Sequence, residues 1–218
     1  MDDSKSYLKY PHHRKWFNKL WIAETFGYKC GPADIDIPET GMYVIRPIYN
    51  LAGMGAGATV QTLSAGDDRS VPPGYFWCEY LTGKHYSANY IWQYDRDQIM
   101  GKWRQPWKGS ACWEGTNMPI NLTKFVEWNR SDYIPQVPDE LNELSDVKEI
   151  NVEFKGDQVI EVHLRPSPDP DYDHIIPVWA SDFGKKKEHM EMHGYDFVEA
   201  YDDANGYIDD ARIGFLVK

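Results

Sequence analysis

INVEFKGDQVIEVHLRPSPD, residues 150–169, decides how this chain folds. Ile150, Val152 and Phe154 alternate with Asn151 and Glu153, and Ile160, Val162 and Leu164 alternate with Glu161, His163 and Arg165. A period of two marks a strand, so the stretch predicts two strands joined by a tight turn. One face is apolar and suited to cover a core. The other gathers two carboxylates, an imidazole and a guanidinium. Register decides whether those faces hold together, because a slip of one residue moves one strand's charges to the opposite side. A three-residue loop of Gly156, Asp157 and Gln158 sets Phe154 opposite Ile160 and Glu153 opposite Glu161, which keeps the faces separate. A two-residue Gly156-Asp157 turn would mix them, so the longer loop is expected, with glycine relieving its backbone strain.

Two carboxylates held side by side repel unless a cation lies between them, and Mg²⁺ is the usual oxygen-loving candidate. His163 and Arg165 follow Glu161 at alternate positions, about 7 Å apart along the strand. Such a strip suits a metal followed by the oxygens of a phosphate. It equally suits a solvent-facing hairpin whose charges keep it soluble. The segment alone leaves both readings open.

The rest of the composition sets limits. A chain of 218 residues suits one domain or two closely packed lobes with a real core. Lys+Arg 23 against Asp+Glu 34 gives a formal charge of -11, which disfavours a dedicated nucleic-acid binder but not a nucleotide, which needs only a local basic pocket. No apolar run reaches the length of a membrane span, and MDDSKSYLKYPHHRKW has no signal-peptide core. Cys30, Cys78 and Cys112 are odd in number and widely spaced, as expected of reduced thiols in a cytoplasmic protein. Nine tryptophans, several of them between Trp92 and Trp113, suit buried packing better than exposed stacking on sugars or bases.

Along the chain, residues 14–27 predict a helix with Trp16, Phe17, Leu20, Trp21 and Ala23 on one side and Gly27 as its stop. Residues 42–46 predict a strand, followed by a glycine-rich loop. Residues 75–80 and 85–94 predict two strands forming a hairpin around Thr82-Gly83-Lys84. Helices are expected at 121–129 and 139–144, a short strand near 175–179, a charged helix near 183–193, and a last hairpin turning near Asn205-Gly206. No regular strand-helix alternation runs through the chain, so an α+β fold built on antiparallel hairpins is expected.

Gly53, Gly55 and Gly57 follow a strand, as phosphate-cradling loops do, but no Gly-Lys-Ser/Thr follows them, and a plain turn is equally compatible. Arg46 ends that strand and suits a phosphate. His189 and His193 have helical metal-ligand spacing, yet their charged neighbours favour a solvated helix face. His12 and His13 are adjacent in sequence, a poor arrangement for joint ligands.

Taken in order, these pieces resemble the ATP-grasp superfamily of ATP-dependent ligases. Asn18-Lys19 is similar to the family's helical Asp/Asn-Lys pair. Arg46-Pro47 stands where the family's strand ends in Lys-Pro, and residues 53–58 are similar to its small-residue loop over the phosphates. FWCEYLTGKHYSANY resembles the strand that holds adenine and ribose, with Glu79 at the carboxylate position and Gly83 at the turn. Glu153 and Glu161-Val-His163-Leu-Arg165 match the acidic strand and the Glu-x-Asn-x-Arg motif, with histidine in place of asparagine. The chain also resembles small proteins of tailed bacteriophages, which implies a viral origin and a host cytoplasm.

The resemblance implies two α+β lobes with antiparallel sheets and a nucleotide cleft between them, without the usual N-terminal substrate domain. Residues 1–94 would form the lobe with the helix and glycine loop, and 95–218 the lobe with the metal-binding hairpin. It implies ATP with Mg²⁺, or Mn²⁺, and a carboxylate substrate joined to an amine or thiol through an acylphosphate. Lys19, Arg46, Gly53, Gly55, Gly57 and Glu79 would bind nucleotide; Glu153, Glu161 and His163 would hold metal; Arg165 would meet the transferred phosphoryl group. Arg46 and His163 depart from the family pattern, which leaves a second reading, a non-catalytic relative that binds a nucleotide or a host protein. A tryptophan-rich carbohydrate-binding module would explain the aromatics but not the ordered charged motifs.

Overall fold

A computed structural model describes residues 2–51, 55, 57–67, 71–93, 106–116, 126–202 and 210–218. Among these residues the chain forms two antiparallel sheets. The smaller has β1 (Cys30–Pro32), β2 (Gly41–Pro47), β3 (Thr59–Leu63) and β4 (Tyr75–Glu79), in the order β1-β4-β2-β3. The larger has β5 (His85–Trp92), β6 (Trp107–Gly115), β7 (Trp128–Arg130), β8 (Glu149–Lys155), β9 (Gln158–His163), β10 (His174–Trp179), β11 (Asp196–Asp202) and β12 (Arg212–Val217). Its order is β11-β12-β10-β7-β6-β5-β8-β9. This is the α+β, antiparallel architecture expected from the sequence. No helix among the described residues is long and apolar enough to cross a membrane.

The hairpin of β8 and β9 reaches the expected pairing by another route. Its turn is the two-residue Gly156-Asp157, with Gly156 at φ 60° and Lys155 opposite Gln158. Phe154 therefore faces Val159, not Ile160. A β-bulge then absorbs Ile160 and restores Glu153 opposite Glu161 and Val152 opposite Val162. One extra residue corrects the mixing of faces that a short turn would cause.

The apolar face of β8 and β9 covers a core, with Val159 in the place expected of Ile160. Ile150, Val152, Phe154, Val159, Val162 and Leu164 join Tyr86, Ala88 and Tyr90 of β5 in one core. Leu141 and Leu144 of the 3-10 helix Asp139–Leu144 and Trp16, Phe17 and Ile22 of the N-terminal segment close it. The Trp107 and Trp113 rings are buried, and their indole N–H groups donate to the carbonyls of Leu141 and Tyr172.

Three other expectations are corrected. The helix expected over 14–27 is broken: α1 (Asp3–Lys9), a 3-10 helix Pro11–Phe17, and α2 (Lys19–Thr25) follow one another. Asn18 makes the break, since its side chain accepts from Trp21 N and caps α2. Strands β4 and β5 are not a hairpin; they lie in different sheets, and the segment around Gly83 is the passage between them. Gly83 has φ 118°, and a Cβ there would lie 2.8 Å from Gly156 N, so the passage runs against the hairpin turn through a position suited to glycine. Of the helix expected over 121–129, residues 121–125 lie outside the described residues, and Trp128–Arg130 is strand. The turn near Asn205-Gly206 also lies outside them. Helix α3 (Phe183–His193) is present, with Lys185, Lys187 and Glu188 exposed.

Candidate functional site

Helix α2 joins the two sheets. Ile22 packs in the large-sheet core, while Ala23 packs with Phe76 and Cys78 of β4. Lys19 at its start donates its backbone N–H to Ile48 O, just past β2. This fixes the Lys19 ammonium over the edge strand β9, where Nζ pairs with Glu161 Oε1. Arg46 comes to the same carboxylate from β2: Nη1 is 3.2 Å from Glu161 Oε1, and Nη2 donates to Ile160 O at 3.1 Å. The bulge thus supplies a carbonyl that the small sheet grips. Tyr28 Oη, just before β1, does the same one residue earlier, donating to Val159 O at 3.0 Å, so the edge of β9 is covered by Tyr28 and Arg46.

Glu153 lies in register with Glu161 on the polar face. Its Oε2 is 3.0 Å from His85 Nε2, and its Oε1 is 3.5 Å from His163 Nε2. His163 Nδ1 is 3.0 Å from Asp3 Oδ2, and that same oxygen accepts from Arg165 Nη2 at 2.8 Å. Behind them, buried Asn151 donates to Ser87 Oγ and Asn89 Oδ1, and Asn89 Oδ1 also receives Ser167 N. That network holds the segment just after Arg165 against the sheet.

The electrostatics follow from this packing. Burial would raise the Glu153 pKa, but hydrogen bonds from His163 and His85 hold it well below the ordinary value. Burial likewise works against Asp3, yet the charge and hydrogen bond of His163, with Arg165, bring it down to about 2. Burial opposes charge on His163, but the Asp3 carboxylate lifts its pKa to about 9. The Glu153 and Asp3 carboxylates are therefore held in the ionised form.

One donor atom from each of Glu153, Glu161 and His163 lies within 4.8 Å of the others. Two carboxylates in register fit a hard divalent cation such as Mg²⁺, while the imidazole suits a softer ion better and must first lose its proton. Among the buried polar atoms without a hydrogen-bond partner are the guanidinium donors Arg46 Nε and Arg165 Nε, and the ring atom His85 Nδ1.

The structure brings together Lys19, Arg46, Glu153, Glu161, His163 and Arg165. Glu79 is placed otherwise: its Oε1 accepts from Lys29 N at 2.8 Å. Gly55 and Gly57 have φ of 61° and 77°, and a Cβ on Gly57 would meet Tyr75 Oη at 2.8 Å and Pro47 Cγ at 3.0 Å, so Gly57 lies against the end of β2. Gly53 lies outside the described residues, as does the His189 side chain.

Two site residues escaped the sequence reading. His85 carried a signal, since His85, Ser87 and Asn89 alternate along a strand. Asp3 carried none, being 160 residues from His163.

No family model and no curated protein matches the chain. Solved structures do. N5-carboxyaminoimidazole synthetase from Staphylococcus aureus, complexed with ADP, matches with a TM-score of 0.51 and 11% identity over 93% of this chain and 67% of its own. L-amino acid ligase from Bacillus licheniformis matches with a TM-score of 0.39 and 13% identity, over 70% of this chain and 41% of its own. The ATP-grasp ligase PsnB, complexed with its minimal precursor, matches with a TM-score of 0.37 and 13% identity, over 71% of this chain and 53% of its own. The chain thus spans roughly two fifths to two thirds of the length of these proteins. At such identities the likeness is one of fold alone, an α+β chain with antiparallel sheets.

Proposed function

We propose that this chain binds ATP with a divalent cation between its two sheets and activates a carboxylate by phosphoryl transfer, as an ATP-dependent ligase. The observation that carries this reading is the convergence of Lys19 and Arg46 on Glu161, beside Glu153 in register. Phosphoryl transfer needs positioning and charge neutralisation more than a protein nucleophile, and these groups are of that kind. Lys19 and Arg46, released from Glu161, would hold phosphate oxygens. Gly55 and Gly57 would bring backbone N–H groups close to the anion. Glu153 and Glu161 would hold Mg²⁺, or Mn²⁺, which supplies neutralisation of the phosphates when bound. Arg165 would meet the transferred group, and Glu79 is the carboxylate proposed for the nucleoside.

A second reading, a non-catalytic binder of nucleotide or protein, is favoured by Asp3. Its carboxylate occupies Arg165 and His163, the groups assigned to the reacting end.

Steady-state ADP release with Mg²⁺ and a broad pool of carboxylate and amine acceptors separates the two. The ligase reading expects turnover that Glu161→Gln abolishes and His163→Asn preserves. Turnover unchanged by Glu161→Gln removes the metal assignment; ATP binding without any turnover supports the second reading.

A further inference from the structure

A second constellation lies away from the carboxylate strip. His12 and His13 belong to the 3-10 helix Pro11–Phe17, and Asp146 follows the 3-10 helix Asp139–Leu144. His12 Nε2 is 2.8 Å from Asp146 Oδ2, and His13 Nε2 is 2.6 Å from Asp146 Oδ1. Adjacent residues on a helix usually point apart, yet here the rings stand 4.2 Å apart between centroids and both present Nε2 to one carboxylate. This corrects the expectation that neighbouring histidines are poorly arranged as joint ligands.

We propose that His12, His13 and Asp146 form a transition-metal site of the Zn²⁺ class, with three protein ligands and a fourth position open to solvent. Donor atoms from all three lie within 4.8 Å of one another. Two imidazoles and one carboxylate suit Zn²⁺, Co²⁺ or Ni²⁺, whereas Mg²⁺ and Ca²⁺ prefer all-oxygen shells. His13 is buried, so one ligand is preset by packing; His12 and Asp146 are about half exposed, which leaves an entry path.

The site has a structural consequence. It fastens the segment that runs directly into Asn18 and Lys19 to the segment that runs directly into β8 and Glu153. A metal there would lock α2 against the large sheet.

Metal-stripped full-length protein titrated with Co²⁺ should develop visible d–d absorption that Zn²⁺ then displaces, and calorimetry should show one micromolar or tighter Zn²⁺ equivalent. His12→Ala should weaken that equivalent by more than about tenfold, since loss of an outer-shell partner alone costs about that much. His12→Cys, which restores a zinc ligand on an exposed side chain, should retain it. Glu161→Gln should retain it too, which places the ion away from the strip. Zn²⁺ should raise the melting temperature of the wild type and not of His12→Ala. The proposal is overturned if the wild type binds no Zn²⁺ in the micromolar range, if His12→Ala binds it unchanged, or if Glu161→Gln abolishes the equivalent.

Discussion

Arg46 Nη1 lies 3.2 Å from Glu161 Oε1, so a strand of the small sheet meets the edge strand of the large one at a shared charge. Both side chains are mostly buried, at 13% and 17% exposure. A buried pair of this kind stabilises less than its Coulomb energy suggests, but removing one partner strands the other. Arg46→Ala leaves Glu161 to Lys19 and uncovers the Ile160 carbonyl. We expect a loss of about 1–3 kcal/mol in urea unfolding, the scale of an unmade buried hydrogen bond. ATP affinity should fall by about 1.5–3 kcal/mol for a lost charge-assisted contact. Unchanged affinity in the folded variant counts against Arg46 as a nucleotide ligand.

The core face of the hairpin gives a stability prediction independent of function. Phe154 is fully buried and stacks edge-on with Tyr90 at 6.4 Å. Phe154→Ala should cost about 3–5 kcal/mol, through lost burial and the cavity left behind. A cost under about 1 kcal/mol would place Phe154 outside the core.

Gly83 should resist substitution for a backbone reason. Its φ of 118° and its contact with Gly156 leave no room for a methyl group. Gly83→Ala should destabilise by about 1–3 kcal/mol, whereas Gly66→Ala, with open space around it, should pay for its positive φ alone. Equal effects in thermal melts would remove the proposed contact between the sheet passage and the hairpin turn.

The Asp3–His163 pair sets a pH dependence for the metal-free, nucleotide-free protein. The His163 pKa rises from 6.5 to about 9 on folding, so its contribution is complete below 6.5 and is lost as the pH climbs toward 9. Asp3 has the opposite sign: its pKa falls from 3.8 to about 2, so its contribution is present above 3.8 and disappears as the pH drops toward 2. Melting temperature should therefore decline on both sides of a plateau. In Asp3→Asn the alkaline decline should shrink, and an unaltered profile would argue that Asp3 and His163 are not coupled.

Much of the hairpin was legible because alternation is a local signal. The two strands and the apolar face of Ile150, Val152 and Phe154 follow from period two, while the Glu153–Glu161 pairing was expected through a longer loop. The bulge at Ile160 was not legible, since a short turn plus one extra residue produces the same Glu153–Glu161 pairing as a longer loop. The break at Asn18 hid inside a continuous apolar stripe; asparagine there serves as a cap, which periodicity does not register. The hairpin expected at Gly83 failed because two strands joined by a glycine turn need not share a sheet. Asp3 and Asp146 were invisible for a different reason: each meets its histidines across more than 130 residues.

The central claim, that ATP with a divalent cation binds where Lys19 and Arg46 meet Glu161, is tested most directly by thermal unfolding of the purified protein with and without ATP and Mg²⁺. A ligand bound by the folded state alone stabilises it by about 2.7 kcal/mol at a hundredfold excess over its dissociation constant. The account predicts a rise in melting temperature that requires both ATP and the cation and that is reduced in Arg46→Ala. No rise with ATP and either Mg²⁺ or Mn²⁺ would contradict it.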